Sequence, residues 1–196
     1  MNTFNIVVTG IGGQGVLTAA EVIAQAALAA GHDVRTAELH GLSLRFGPLE
    51  SHVRFGKKVL SPLVPAGRAD LLIGLERLET LRALEFAGKK TNVIFDTRSA
   101  VPTLMSIKKQ RYPSEDETEK MIRKIAKYMI HVQATKAVKK AGFDPVMANV
   151  YILGRAVAER MIPLNKKHMI AGITAVVPPK ALELNIKVFE MGMASK

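Results

Sequence analysis

Three glycines near the start of the sequence have the spacing of a phosphate-binding loop. Gly10, Gly12 and Gly15 fit the pattern G-x-G-x-x-G directly after an apolar run. In such a loop the first glycine allows a tight turn, the second lets the backbone approach a phosphate, and the third lets a helix pack closely on a strand. Glu38 ends the next predicted strand, where it would accept a hydrogen bond from a ribose hydroxyl. The spacing predicts nucleotide or phosphate binding, and the structural alternative is a tightly packed turn.

Two further residues of the loop argue against a nicotinamide site. Gly13 adds another glycine and Gln14 stands at the start of the predicted helix, although the dinucleotide fingerprint requires neither. No residue elsewhere in the sequence stands out as an acid or base for hydride transfer. A stand-alone nucleotide-binding module, or an NAD(P)-dependent dehydrogenase, is therefore the alternative hypothesis for this loop, with Glu38 as its ribose acceptor.

A second candidate site surrounds the end of the second predicted strand. His40, Arg45, His52 and Arg54 lie close together in the sequence, interspersed with glycines. Because doubly wound sheets bind ligands at the carboxyl ends of strands, His40 is predicted beside the glycine loop, with Arg45 as a clamp for phosphate or carboxylate. The alternative is a surface hairpin. Glu76 ends another predicted strand, where it either lines the same crevice or stabilises the first turn of the next helix. The two histidines lack a third ligand at motif spacing, so no metal site is predicted.

These residues need a sheet to position them, and the apolar pattern predicts one. A strand over 4–9, a helix over 16–30 and a strand over 33–39 form a βαβ unit, which implies a parallel sheet. Residues 41–50 are predicted as a loop, and a hairpin is predicted around Gly56. Further strands are predicted over 69–76, 91–97 and 129–134, and helices over 78–86, 114–128, 144–161, 165–171 and 179–193. The prediction is an α/β, doubly wound, Rossmann-like fold: one domain over 1–196, a mostly parallel sheet, helices on both faces and a helical C-terminal part.

Composition excludes several kinds of chemistry. The chain has 196 residues, of which 48% are hydrophobic, and contains no cysteine. Disulfides, zinc–thiolate sites, a cysteine nucleophile and cysteine-ligated iron–sulfur clusters are therefore excluded from this chain. No apolar run reaches the ~18 residues that a membrane span requires, and the first residues lack the basic start of a signal peptide. The prediction is a cytoplasmic protein with no membrane partner.

The net charge of +11 points to an anionic ligand or an acidic partner, or only to solvated helix faces. Nucleic-acid binding is a third hypothesis, and it rests on the charge alone. The basic residues are dispersed, and the chain has only three Tyr, seven Phe and no Trp with which to stack bases. No nucleic-acid partner is predicted.

Longer motifs add a resemblance to a known family. The stretches GIGGQGVLTAAEVIAQAAL, ELHGLSLR and SHVRFGKKVLSPLVPAGRADLLIGLERLETLRAL resemble the gamma-type subunit of 2-oxoacid:ferredoxin oxidoreductases. The stretches RYPSEDE and NVYILG fit the small subunit of the indolepyruvate subtype, and the resemblance covers nearly the whole chain. It implies a Rossmann-like subunit of an enzyme that joins a 2-oxoacid, here an arylpyruvate, to coenzyme A, releasing carbon dioxide and reducing ferredoxin.

The resemblance also implies how the work is divided between subunits. Thiamine diphosphate and the iron–sulfur clusters belong to a large subunit, ferredoxin and coenzyme A meet the complex, and this chain binds no cofactor and is inactive alone. The residues that would face substrate, coenzyme A or the large subunit are Gly10, Gly12, Gly13, Gln14, Gly15, His40, Arg45, His52, Arg54 and Glu76. No catalytic residue is assigned. Where the family usually has H-G-M-A-Q-R-G-G-S-V, this chain has Phe46 in place of a glycine and Pro48 in place of a serine. Substrate specificity is therefore expected to differ if that loop touches a ligand.

Overall fold

A six-stranded sheet forms the centre of the computed structural model, which describes residues 3–40, 47–100 and 111–195. The strand order is β2-β3-β1-β4-β5-β6. Neighbours β1, β4, β5 and β6 pair in parallel, whereas β3 is antiparallel to both β1 and β2. The predicted mostly parallel sheet is thus confirmed. The strands are β1 Phe4–Ile11, β2 Asp33–His40, β3 Pro48–Gly56, β4 Leu71–Gly74, β5 Asn92–Asp96 and β6 Tyr128–Val132.

The position of β3 corrects two predictions. Strand β3 lies between the two strands of the predicted βαβ unit: its Ser51 pairs with Val8 of β1 on one side and with Glu38 of β2 on the other. The predicted hairpin turn near Gly56 is also wrong, because Gly56 ends β3 and no strand is found over 57–65. Residues 48–50, predicted as loop, belong to β3 instead. The strand lies inside the sheet and is buried on both faces: Val53 on one face has no exposed surface, and His52 on the other is 1% exposed.

Helices cover both faces of the sheet, as predicted. Alternate residues of β1 point to opposite faces, so Ile6 and Val8 enter one apolar core while Val7 enters the other. The first core is closed by α1 Val16–Ala29, α4 Ala134–Lys140, α5 Ala148–Ala158, α6 Lys166–Val176 and α7 Pro179–Ala194. The second is closed by α2 Arg77–Arg82, the 3₁₀ turn Ala83–Phe86 and α3 Glu115–Ile125.

Two glycines allow the C-terminal helices to cross at close range. A Cβ atom on Gly154 of α5 would lie 2.1 Å from the carbonyl oxygen of Phe189, and one on Gly192 of α7 would lie 2.0 Å from that of Tyr151. The helices therefore approach backbone to backbone. This crossing holds α7 against α5 and completes the helical C-terminal part. Within the described residues, no helix is long and apolar enough to cross a membrane.

Candidate functional site

The carboxyl ends of β1 and β4 mark the point where the chain switches from one half of the sheet to the other. After β1 the chain forms β2 and β3 on one side, and it then forms β4 to β6 on the other. Ligands of doubly wound sheets bind at such a point. The glycine loop follows β1 and Glu76 follows β4, and a Cβ on Gly10 would lie 3.0 Å from the Cβ of Leu75. The structure thus brings the glycine loop and the end of β4 together.

The side chain of Gln14 fills the inside of the glycine loop. Its Oε1 accepts a 2.8 Å hydrogen bond from the backbone N–H of Ile11, and it lies 2.7 Å from the place a Cβ on Gly10 would take. The N–H of Gly12 donates to the carbonyl of Gly47 at 2.9 Å, and the N–H of Gln14 donates to that of Ile11. Three backbone donors of the loop, those of Ile11, Gly12 and Gln14, are therefore engaged by the chain itself.

Gly15 begins α1 in a conformation that only glycine adopts easily. Its φ is 76°, and a Cβ there would lie 2.3 Å from Nδ2 of Asn149, a buried residue of α5. The same Nδ2 donates to the Gly15 carbonyl at 3.1 Å. Gly13 also has positive φ, at 94°, but a Cβ on it would meet nothing within 4 Å among the described residues. The loop is closed against α5 at Gly15 and open to its surroundings at Gly13.

Glu38 does not reach the glycine loop. Its strand is separated from β1 by the whole of β3, and the residue is exposed. A ribose acceptor in the dinucleotide fingerprint stands at the end of the strand next to β1. Glu38 therefore cannot accept a hydrogen bond from a ribose bound at the glycine loop, and the dehydrogenase alternative loses its predicted ribose acceptor.

His52 is a buried structural residue of β3. Its Nδ1 accepts a 2.8 Å hydrogen bond from the N–H of Val64, so Nε2 carries the ring hydrogen and donates to Oε1 of Glu50 at 2.7 Å. The ring packs edge-on against Phe86 with centroids 4.9 Å apart. His52 therefore fixes the segment that follows β3 and orients Glu50.

Arg54 lies at the opposite end of the sheet from the glycine loop, paired in register with Asn5. Its Nε donates to Oδ1 of Asn5 at 2.8 Å, and an Nη donates to the carbonyls of Ser61 and Leu63 at 2.8 and 3.1 Å. The predicted grouping of Arg54 with His40 at one site is therefore wrong. His40 ends β2 opposite Leu49. Its side chain and the whole of Arg45 and Phe46 lie outside the described residues.

Glu76 is buried and caps α2. Its Oε2 accepts from the N–H of Glu79 at 2.9 Å, and its Oε1 accepts from the N–H of Ala100 at 3.1 Å and from the hydroxyl of Tyr112. Burial raises the pKa of Glu76, and the N–H donors partly oppose the rise. Of the two predicted roles, stabilising the start of the helix is confirmed, because the side chain is inside the protein.

A cleft of about 310 Å³ lies at the carboxyl end of β1, between that strand, the start of β3 and the helix that follows β4. Its polar lining includes two residues that the sequence analysis missed, Glu79 and Arg82, which form a 2.7 Å ion pair. Burial raises the pKa of Glu79. The sequence did carry a signal for this pair: Glu79 and Arg82 are three positions apart in a predicted helix, a spacing that places two side chains side by side. The other lining residues that bear on its chemistry are Thr9, Leu49, Glu50 and Glu85.

Comparison with known proteins gives a consistent result. The family model described as pyruvate ferredoxin/flavodoxin oxidoreductase matches residues 5–195. An indolepyruvate oxidoreductase subunit IorB of Archaeoglobus fulgidus is 40% identical over 188 residues, or 96% of this chain and 92% of that protein. The gamma subunit of a keto/oxoacid ferredoxin oxidoreductase from Geobacter sulfurreducens superposes with a TM-score of 0.67 at 21% identity, covering 97% of this chain and 96% of that one. A 2-oxoglutarate:ferredoxin oxidoreductase from Magnetococcus marinus superposes with a TM-score of 0.74 at 16% identity, covering 99% of this chain but 31% of that one.

Fold and loop together define a doubly wound α/β protein whose glycine loop is filled by its own side chain. The chain belongs to the pyruvate ferredoxin/flavodoxin oxidoreductase family. The family resemblance that the motifs indicated is confirmed.

Proposed function

We propose that this chain is the small subunit of an indolepyruvate ferredoxin oxidoreductase. The complex converts an arylpyruvate, coenzyme A and oxidised ferredoxin into an aryl-acetyl-CoA, carbon dioxide and reduced ferredoxin. The observation that carries the proposal is the 40% identity to an indolepyruvate oxidoreductase subunit over 96% of this chain. The sheet order supports it as well, because β3 separates Glu38 from the glycine loop, where a dehydrogenase would need a ribose acceptor.

The cofactors of the reaction are assigned to a large partner subunit. Thiamine diphosphate supplies the carbanion chemistry at the oxoacid carbon, and iron–sulfur clusters carry the electrons to ferredoxin. Because this chain contains no cysteine, its residues do not fit a thiolate-ligated cluster. The chain acts as a heteromeric partner in the cytoplasm, where coenzyme A and ferredoxin are available, without a nucleic-acid or membrane partner.

This chain contributes shaped surface rather than reacting groups. The loop over 10–15 is rigid, because Gln14 and Asn149 hold it from inside and from α5, and it is open at Gly13. Its proposed role is to face the large subunit or coenzyme A, and the same role for His40 and Arg45 stays a prediction from the sequence. His52, Arg54 and Glu76, in contrast, act through the protein interior by holding backbone segments in place.

Anaerobic co-expression with the large subunit tests the proposal. The purified complex is expected to reduce methyl viologen only when both indolepyruvate and coenzyme A are present, and this chain alone is expected to give no reduction. Oxoacid-dependent reduction by the isolated chain would contradict it, as would a complex that does not use any arylpyruvate.

Calorimetry with NAD, NADP, FAD and AMP tests the dehydrogenase alternative, and no heat of binding is expected at millimolar ligand. Retention on nucleic acid at low salt would revive the third hypothesis.

A further inference from the structure

A second, larger cleft opens at the carboxyl edge of the sheet, on the β5–β6 side, away from the glycine loop. It has a volume of about 710 Å³ and lies between the residues that follow β5 and the residues from the end of β6 into α4. These segments meet because Asp96 and Val132 pair in register and the N–H of Thr97 donates to the carbonyl of Val132 at 2.9 Å. We call it the basic cleft, after Arg98, Lys136, Lys139 and Lys140 in its lining.

The positive charge of the basic cleft is not neutralised by its neighbours. No ion pair among the described residues involves Arg98, Lys136, Lys139 or Lys140. The one carboxylate in the lining, that of Asp96, is buried and already engaged. It accepts from the N–H and hydroxyl of Thr135 and from the N–H of Arg98. Four cations therefore face one concave space, where low-dielectric walls strengthen their field.

The volume and the lining groups of the basic cleft favour a small phosphorylated molecule over an acidic protein. Its volume falls within the range typical of small-molecule sites, whereas a protein partner needs a broad surface. Lys136, Lys139 and Lys140 are exposed, and Ser99 and Thr97 add hydroxyl donors beside Arg98. Ammonium, guanidinium and hydroxyl groups donate hydrogen bonds, and phosphate oxygens accept hydrogen bonds from all three.

We propose that the basic cleft binds the phosphate groups of a soluble small molecule, either a diphosphate or a phosphomonoester. Phosphate binding follows from the cleft alone. In the reaction proposed above, coenzyme A is the reactant that carries both kinds of phosphate, so its assignment to this cleft rests on the proposed function.

Calorimetry on the purified full chain at low salt tests phosphate binding, with inorganic pyrophosphate and coenzyme A as probes and pantetheine as the phosphate-free control. Both phosphate probes are expected to bind and pantetheine is not, and raising the salt is expected to weaken binding. The variant K136A/K139A is expected to lose at least tenfold in affinity for both probes. Its matched control is K57A/K58A, which removes the same charge from two exposed lysines beyond the far end of β3.

Each outcome of this experiment decides the proposal. Absence of pyrophosphate binding overturns it, and so does an equal loss in K57A/K58A, which would show attraction by net charge only. Binding of poly-glutamate without pyrophosphate would assign the cleft to an acidic protein instead. Unchanged thermal unfolding of K136A/K139A shows that the exposed lysines are not needed for folding.

The same variants in the reconstituted complex separate this proposal from the proposed function. K136A/K139A is expected to raise the KM for coenzyme A at least tenfold, and K57A/K58A is expected to leave it unchanged. If the complex turns over indolepyruvate but neither pyrophosphate affinity nor the KM responds, the cleft proposal fails and the function stands. If pyrophosphate binds but no arylpyruvate is used, the function fails and the phosphate site stands.

Discussion

At the scale of single residues, Gln14 decides what the glycine loop can do. A buried backbone N–H without a partner costs about 1–3 kcal/mol, and the Gln14 side chain supplies the partner for Ile11. The loop keeps the glycine spacing of a phosphate cradle but uses it for tight internal packing. The glycine spacing was visible in the sequence, whereas the direction of the Gln14 side chain depends on atoms of the folded loop.

We expect Gln14→Ala to destabilise the chain by about 1–3 kcal/mol, because it leaves the buried N–H of Ile11 without an acceptor. Urea unfolding followed by circular dichroism measures the change. Gln25→Ala is the control, since the side chain of Gln25 bonds to the neighbouring Glu21 on the surface of α1. The loss of that bond should lower the free energy of unfolding by only a few tenths of a kcal/mol. Equal effects in the two variants would show that Gln14 does not hold the loop.

Glu76 predicts a pH dependence of stability. Its pKa is raised by burial, so the native state binds its proton more tightly than the unfolded state does. Its contribution to stability is complete below the unfolded pKa and is lost as the pH rises through the folded pKa. Glu76→Gln cannot ionise, so its stability relative to the parent protein should improve as the pH rises above the ordinary glutamate pKa of 4.5. Unfolding in urea at several pH values measures this, and a difference that is constant with pH would contradict it. Glu76→Ala lacks the cap and should be less stable than Glu76→Gln throughout.

At the scale of elements, local signals predicted most helices and strands, but not the neighbours of β3. Ser114 and Glu117, three positions apart, form a capping box at the start of α3, and Asp144 accepts from the N–H of Val146 ahead of α5. These features depend on residues a few positions apart. The place of β3 between β1 and β2 depends on pairings such as Val8 with Ser51, which no local periodicity records. The candidate site was affected in the same way, because Arg54 bonds to Asn5, which is 49 residues away in the chain, and His52 bonds to Val64, beyond the end of β3.

The crossing of α5 and α7 gives a prediction with an unusual sign. Replacing glycine by alanine inside a helix normally stabilises a protein by roughly 0.5–1 kcal/mol. Gly154→Ala should instead destabilise this chain by about 1–3 kcal/mol, because the new methyl group would lie 2.1 Å from the Phe189 carbonyl oxygen and push the helices apart. Thermal unfolding measures the sign directly. A stabilised variant would show that α7 does not pack closely against α5.

At the scale of the whole molecule, net charge and amino-acid composition limit the chemistry that this chain can contribute. The chain carries a net charge of +11 and no cysteine, so it can attract anionic reactants but cannot ligate a cluster through thiolates. It has instead a broad α/β surface with two separate clefts at one edge of the sheet. The amino-acid composition alone is enough to exclude thiolate chemistry. The place of the basic cleft required the fold, because its two segments are far apart in the chain.

We expect iron to follow the partner and never this chain. A tagged chain captured under anaerobic conditions from its native host should bring with it a large, brown, iron-containing subunit. The same chain produced alone should contain no iron–sulfur cluster, because it has no cysteine to ligate one. Metal analysis of the two preparations is the measurement. Iron in the isolated chain, or capture of no partner, would count against the proposed division of cofactors.

The position of β3 between β1 and β2 also governs the order in which the strands of a newly made chain can pair. Within the described part of the sheet, β2 pairs with β3 alone. A ribosome delivers β1 and β2 before β3, so both strands wait with unpaired backbone until Gly56 has left the exit tunnel. Unpaired strand edges promote aggregation. The nascent chain is therefore most exposed to aggregation during this interval of synthesis.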